Sequence, residues 1–217
     1  MLNLKWRIAQ FTELKWWQSY LNKKDKIKYY EWKNSYWQNL LQQLPVNFQE
    51  TNNLNILDAG CGPAGVFIAL TNHNITAFDP LLDSYQKKLN HFESNDFSWV
   101  SFENKSLENF TSISNKPFDV VFCMNAINHV ADIGKSYDVL VKHLKKGGLL
   151  VVTIDAHNYS FYKNLFRALP GDILHPHQYD LQEYRQFMTN RGINIDGEHL
   201  IKKEYFFNHY MLWGYKA

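Results

Sequence analysis

The chain has 217 residues and a formal net charge of +2, from 23 Lys and Arg against 21 Asp and Glu. Apolar residues make up 45% and charged residues 20%, which excludes global disorder and predicts one globular domain, with room for a small appended region. The near balance of charge argues against a nucleic-acid partner bound through its phosphates. Two cysteines, Cys61 and Cys123, are too few for a disulfide framework.

No apolar run in the sequence approaches the roughly 20 residues that span a bilayer. The first residues, MLNLKWRIAQFTELKWW, lack the apolar centre and the small-residue cleavage site of a secretory signal. We therefore expect a cytoplasmic protein with no membrane partner. No pattern in the chain predicts an oligomeric state.

Residues 1–50 predict a helical cap that precedes the main domain, residues 51–217. Five of the seven tryptophans lie here, namely Trp6, Trp16, Trp17, Trp32 and Trp37. One interpretation is that amphipathic helices pack these rings on the main domain. The other is a lid over a substrate pocket, which would bind an apolar or aromatic molecule and exclude water. In that case the pocket would be faced by Trp16, Trp17, Tyr20, Tyr36 and Trp37.

From residue 53 onward, short apolar runs alternate with helical patterns, which predicts βα units and a parallel sheet. The expected strands are LNILDAG, NITAFDP, SWVSFENKS, FDVVFCMN and LLVVTID. The expected helices are GPAGVFIALTNH, LLDSYQKKLNHF, one that Gly147 and Gly148 end, and LQEYRQFMTN behind an Asp180–Glu183 capping pair. The tail predicts two closing strands. The fold class is therefore doubly wound α/β.

A glycine turn, Asp58-Ala59-Gly60-Cys61-Gly62-Pro63-Ala64-Gly65, follows the first strand, and Asp79 ends the second. Glycines allow close approach of a ligand, and an acidic residue at the end of the second strand accepts ribose hydroxyls. The pattern fits the G-x-G-x-x-G of a dinucleotide binder, so an NAD(P)-dependent oxidoreductase is one hypothesis. Asp58 would repel a pyrophosphate and attract an ammonium and a sulfonium, unless it only caps the turn.

The run L-D-A-G-C-G-P-A-G resembles motif I of class I S-adenosylmethionine-dependent methyltransferases, and the resemblance extends over about 53–217. It implies a seven-stranded Rossmann-like sheet with an antiparallel closing pair. It also implies S-adenosylmethionine as cofactor and S-adenosylhomocysteine as product. A non-catalytic protein that binds the same cofactor remains an alternative.

The resemblance also assigns parts of the cofactor to residues. Gly60, Cys61 and Gly62 would line the methionine moiety with Asp58 near its ammonium, and Asp79 would take the ribose hydroxyls. Pro80 and Leu81 would pack on the adenosine, while Ser106 and Leu107 would flank the adenine, where the family often has an Asp. Asn125 and Ala126 would lie close to the sulfonium.

Three histidines are candidates for a general base, namely His129, His175 and His177. His129 follows the fourth strand, while the H-x-H pair is too sparse to predict a metal site. Asp155 and His157, after the fifth strand, are candidate pocket residues, with His157 placed against the substrate. The segment LFRALPGDILHPHQYDLQEY faintly resembles the L-P-x-G-x-H stretch of ubiquinone-pathway O-methyltransferases. That similarity implies a small-molecule substrate with an oxygen acceptor.

Overall fold

A computed structural model describes residues 4–112, 116–159 and 177–217, with side chains from Trp6 onward. The helices are α1 (Leu4–Leu21), α2 (Lys26–Leu41), α3 (Leu82–Lys88), α4 (Ile133–His143) and α5 (Leu181–Thr189). The strands are β1 (Asn55–Ala59), β2 (Asn74–Phe78), β3 (Val100–Glu103), β4 (Phe118–Cys123), β5 (Leu144–His157), β6 (Ile193–Lys203) and β7 (Phe207–Lys216). None of these described helices is both long enough and apolar enough to cross a bilayer.

The seven strands form one sheet in the order β3-β2-β1-β4-β5-β7-β6. Strands β1 to β5 pair in parallel, and β7 runs antiparallel between β5 and β6. This confirms the predicted doubly wound sheet with its antiparallel closing pair. In such a sheet the carboxyl ends of the parallel strands meet at one edge, where ligands bind.

The two cap helices, α1 and α2, pack against one face of the sheet and share an apolar cluster with it. Asp25 caps the start of α2, because its side chain accepts from the backbone N–H of Lys28 and so satisfies one free donor of the first turn. Leu21 of α1 and Trp37 of α2 are buried in one apolar cluster with Ile56 of β1. The cap and the sheet therefore share a hydrophobic core.

The helix predicted over GPAGVFIALTNH is wrong, because the structure has a single turn of 3₁₀ helix there, Val66–Ala69. Helix α2 lies against this turn. The indole Nε1 of Trp37 donates to the carbonyl of Ala64, and that of Trp99 donates to the carbonyl of Phe67, both at 3.0 Å. Side chains from elsewhere thus take up backbone groups that a longer helix would pair internally.

The predicted end of α4 at Gly147 and Gly148 is also wrong. The helix ends at His143, and both glycines lie within β5. Gly147 has φ +70°, and a Cβ on Gly148 would lie 3.0 Å from the carbonyl oxygen of Asp119 on β4. Gly147 therefore allows the left-handed backbone conformation, and Gly148 lets β5 approach β4 closely. The predicted capping box, by contrast, is confirmed, since Asp180 and Glu183 each accept from the other's backbone N–H.

Candidate functional site

A cavity of about 430 Å³ lies at the carboxyl ends of β1, β2, β4 and β5, beneath α1 and α2. We call it the central cavity. Its wall includes ten residues of the sheet domain that the sequence predicted to hold cofactor or act in catalysis: Gly60, Cys61, Gly62, Asp79, Pro80, Ser106, Leu107, Asn125, Ala126 and His129. Leu81 lies outside this wall and is buried in the core.

The glycine turn is fastened to the end of β2. The backbone N–H groups of Gly60 and Cys61 donate to the carbonyl of Phe78 at 2.8 and 3.1 Å. Gly60 and Gly62 have φ of +69° and +57°, in the left-handed region that favours glycine. A Cβ on Gly60 would lie 2.4 Å from the Cβ of Ala126, so both the conformation and the space require glycine there.

Asp79 connects the two chain segments at this edge of the sheet. Its Oδ2 accepts from the N–H of Gly62 at 3.0 Å and its Oδ1 from the N–H of Leu81 at 2.8 Å. Burial, and then the negative charge of Glu13, raise the pKa of Asp79. The carboxyl group thus fixes the turn while it also forms part of the cavity wall.

Asp58 lies outside the cavity wall and is fully buried beside the turn. Its Oδ2 accepts from the N–H of Phe67 at 3.2 Å, and a Cβ on Gly65 would lie 2.4 Å from that oxygen. Burial raises the pKa of Asp58 to about 7. Its Oδ1 is buried and makes no hydrogen bond to the part of the chain that is described. One oxygen therefore caps the turn, as the alternative interpretation held, and the other keeps its accepting capacity.

The loop after β4 carries a local strain. Asn125 has φ +55°, and its N–H donates to Oγ1 of Thr153 on β5 at 2.6 Å. Such a conformation is uncommon for a residue other than glycine and tends to occur at functional positions. The following 3₁₀ turn, Ile127–His129, carries His129 in the cavity wall.

The cap contributes three of its five predicted aromatic residues to the wall, namely Trp16, Trp17 and Trp37. Tyr20 stacks on Trp16 with 4.9 Å between ring centroids, and Tyr36 packs edge-on against Trp37 at 4.9 Å. Both tyrosines lie outside the wall and support the rings that form it. Three tryptophans of the cap therefore line the cavity, and Trp37 among them is also buried in the core.

Two of the other predicted histidines, His157 and His177, lie outside the wall of the central cavity. His157 is buried, bonds to Oε1 of Gln178, packs on Phe207 and lines a second cavity of about 650 Å³. Nε2 of His177 donates to the carbonyl of Val130 at 2.7 Å, and burial lowers the pKa of His177. His175 lies outside the described residues.

Sequence reasoning missed two charged cap residues in the wall, Glu13 and Lys33. The Nζ of Lys33 lies 4.6 Å from the ring centroid of Trp37, and burial lowers the pKa of Lys33 to about 8. Each of the two stands four positions before a tryptophan that was expected to face a pocket, Trp17 or Trp37. Since residues four apart share a helix face, this spacing was the signal that could have found them.

The wall carries more acidic than basic groups. Asp155, as expected, lies in it, and its Oδ1 pairs with Nδ1 of His209 at 2.7 Å. Among the described residues of the wall, the acidic side chains are those of Glu13, Asp79, Glu108 and Asp155, and Lys33 is the one lysine or arginine. Such a wall attracts a cationic ligand and disfavours a pyrophosphate. Carboxylate acceptors of this kind suit a ligand that carries a positive charge and hydroxyl donors.

A model of the family described as methyltransferase domain matches residues 50–189. Among curated proteins, the ubiquinone biosynthesis O-methyltransferase of Rickettsia prowazekii (strain Madrid E) is 28% identical over 116 residues. The match covers 52% of this chain and 45% of that protein. The chain thus spans less than half the length of this curated relative.

Two solved structures show the same fold at low sequence identity. The N-methyltransferase NodS from Bradyrhizobium japonicum WM9, in complex with S-adenosylhomocysteine, has a TM-score of 0.59 at 14% identity, with 82% of this chain and 85% of that one covered. The magnesium protoporphyrin IX methyltransferase of Synechocystis PCC 6803, also with S-adenosylhomocysteine, has a TM-score of 0.57 at 14% identity. The shared part is 88% of this chain and 84% of that one.

Proposed function

Since the chain belongs to the methyltransferase-domain family of class I S-adenosylmethionine-dependent methyltransferases, we propose that it transfers a methyl group from S-adenosylmethionine to an oxygen atom of a small molecule. The observation that carries this proposal is Asp79, held beside the glycine turn in the wall of an acidic, aromatic cavity. The oxygen acceptor is supported by the name of the Rickettsia relative, which describes an O-methyltransferase.

The residues of the cavity wall would hold the cofactor in a definite order. Asp79 would accept ribose hydroxyls, with Pro80 beside the adenosine and Ser106 and Leu107 beside the adenine. Gly60 and Gly62 would lie along the methionine, and Asn125 and Ala126 near the sulfonium. When bound, S-adenosylmethionine supplies an electrophilic methyl group on a good, neutral leaving group.

Lys33 is the group in the wall that suits the carboxylate of the methionine moiety. The N–H groups of Gly60 and Cys61 already donate to Phe78, and that of Gly62 donates to Asp79, so the turn has few donors left for an anion. Lys33 supplies a cation in the same cavity wall.

His129 is our candidate for the base that removes the proton of a hydroxyl acceptor. It lies in the cavity wall after β4, in the loop next to Asn125. A positioned base contributes roughly 10²–10⁴-fold to rate, and only where the acceptor must lose a proton. Trp16, Trp17 and Trp37 would exclude water from this region.

The proposal is tested by titration calorimetry with S-adenosylhomocysteine and, separately, with NADH, followed by assays with S-adenosylmethionine on a panel of small phenols and acids. We expect binding of S-adenosylhomocysteine and no binding of NADH. Binding of NADH alone would instead indicate an oxidoreductase. Cofactor binding with no turnover on any acceptor would indicate a non-catalytic protein.

A further inference from the structure

Two carboxylates lie in the wall of the central cavity, one from the sheet domain and one from the cap. Asp79 follows β2, and Glu13 belongs to α1. The charge of Glu13 is the strongest charge acting on Asp79, and it disfavours ionisation of that carboxyl group. Two like charges in so buried a place repel each other strongly unless hydrogen-bond donors lie between them.

Each of the two carboxylates has accepting capacity left. Both oxygens of Asp79 accept one backbone N–H, and a carboxylate oxygen can accept two hydrogen bonds. Glu13 Oε1 accepts from Nε1 of Trp17 and from the hydroxyl of Tyr85, both at the long distance of 3.4 Å. Two carboxylates with free accepting capacity in the wall of one cavity match a ligand with two neighbouring hydroxyl donors.

Glu13 is also the polar connection between α1 and the rest of the molecule. Within the described residues, its bond to Tyr85 is the one side-chain hydrogen bond that links α1 to another element. Leu14 and Leu21 are buried, but the neighbouring Phe11 remains 61% exposed, so α1 is held along one narrow face. A ligand that engages Glu13 would therefore also hold α1 in place.

We propose that Glu13 is a second ribose ligand, which accepts one hydroxyl of the cofactor's ribose while Asp79 accepts the other, so that the cofactor holds α1 over the cavity. This inference rests on the proposed function, because it takes S-adenosylmethionine as the ligand. It assigns to the cap a part of cofactor recognition that the resemblance placed entirely in the sheet domain.

The test compares the full-length protein with its Glu13→Gln variant, which keeps the side-chain size and removes the charge. Tryptophan fluorescence titrations measure the dissociation constants of adenosine, 2′-deoxyadenosine and 3′-deoxyadenosine, since Trp16 and Trp17 line the cavity. Glu31→Gln, an exposed change on α2, is the matched control. Trypsin cleavage at the exposed Lys15 of α1, with and without S-adenosylhomocysteine, reports on whether the ligand holds that helix.

We expect the unchanged protein to prefer adenosine over each deoxynucleoside by about tenfold or more, as for hydrogen bonds to charged groups. In Glu13→Gln the preference over one of the two should fall several-fold, and the ligand should no longer slow cleavage at Lys15. Glu31→Gln should behave like the unchanged protein. A purely structural role for Glu13 would weaken all three nucleosides equally, so unchanged preference ratios overturn the inference.

The inference and the proposed function fail in different ways. If the unchanged protein binds neither adenosine nor S-adenosylhomocysteine, the proposed function is wrong. If it binds both, and Glu13→Gln leaves the ratios and the protection of Lys15 as they were, only the role of Glu13 is wrong.

Discussion

At the scale of single residues, Asp79 has two tasks, since it fixes the backbone of Gly62 and Leu81 and also faces the cavity. We expect Asp79→Asn to weaken binding of S-adenosylhomocysteine by about 1–3 kcal/mol, because the ribose would lose a charged acceptor. Titration calorimetry measures this. Asp83→Asn, an exposed change on α3, is the control, and equal affinities of the two variants would contradict the assignment.

Lys33 can be tested with two ligands that differ in the homocysteine moiety. S-Adenosylhomocysteine carries the methionine-derived carboxylate, whereas adenosine does not. We expect Lys33→Met to weaken S-adenosylhomocysteine about tenfold and leave adenosine unchanged, because the lost interaction is a charge-assisted one. Calorimetry on both ligands checks it. An equal loss for the two would instead mean that Lys33 maintains the shape of the cavity.

Asp58 makes stability depend on pH in a direction opposite to that of most carboxyl groups. Its pKa rises from an ordinary 3.8 to about 7 because it is buried. Between about pH 4 and 7 the native state keeps a proton that the unfolded chain has released, so raising the pH lowers the free energy of unfolding. Over this whole pH range, the free energy of unfolding falls by on the order of 4 kcal/mol through Asp58.

Urea unfolding at several pH values between 5 and 8 measures this effect. Asp79 also has a raised pKa and acts in the same direction, so the comparison is with Asp58→Asn. We expect the stability of the unchanged protein to fall relative to the variant as the pH rises. Two parallel pH profiles would show that Asp58 does not titrate in this way.

His129 is expected to act on rate rather than on cofactor binding. His129→Gln should lower turnover on a hydroxyl acceptor by about 10²-fold or more and leave the affinity for S-adenosylhomocysteine unchanged. His199→Gln, on β6, is the control. Full turnover of the His129 variant would mean that the acceptor loses its proton without this histidine.

Some residues of the site can be predicted from the sequence next to them, whereas others depend on contacts with distant parts of the chain. Gly60 and Asp79 could be found from the sequence, because their positions follow from a strand, a turn and the next strand. The spacing of Glu13 and Lys33 from Trp17 and Trp37 puts each on the same helix face as a tryptophan. It does not show that this face packs towards the sheet, which depends on contacts between distant parts of the chain. The adjacent tryptophans on the same helices were noticed from composition, and the charges between them were not.

At the scale of elements, α2 supplies a hydrogen-bond donor to the backbone after the glycine turn, where the predicted helix does not form. Trp37 is 5% exposed and supplies the donor for the Ala64 carbonyl. We expect Trp37→Phe to lower the free energy of unfolding by about 1–3 kcal/mol, since a buried carbonyl loses its partner. Trp32→Phe removes an indole that is 51% exposed and should cost less than about 0.5 kcal/mol.

Urea unfolding followed by far-ultraviolet circular dichroism compares these two variants. Equal stabilities would indicate that the indole of Trp37 adds nothing to the turn. The sequence pattern predicted a helix at 62–73 because Pro63 and the apolar residues after it fit one. It could not show that two distant tryptophans would satisfy the carbonyl groups there, since those contacts join segments far apart in the chain.

At the scale of the whole molecule, the sequence separates a cap, residues 1–50, from a sheet domain, whereas the structure joins their apolar side chains in one cluster. We therefore expect a single unfolding transition. Tryptophan fluorescence, to which the cap contributes five of seven rings, should report the same urea midpoint as circular dichroism. Two separate midpoints would mean that the cap unfolds independently. Saturating S-adenosylhomocysteine should raise both midpoints together.

The place of β7 in the sheet has a consequence for the order in which the protein is made. It follows β6 in the chain and yet lies between β5 and β6. During synthesis β6 therefore leaves the ribosome before the strand that connects it to the sheet. It has no strand to pair with until Phe207–Lys216 has emerged. Folding of the sheet from its earlier strands cannot finish while β7 is still being made, so nascent chains that stop short of it would present an open edge at β5 to other proteins in the cell.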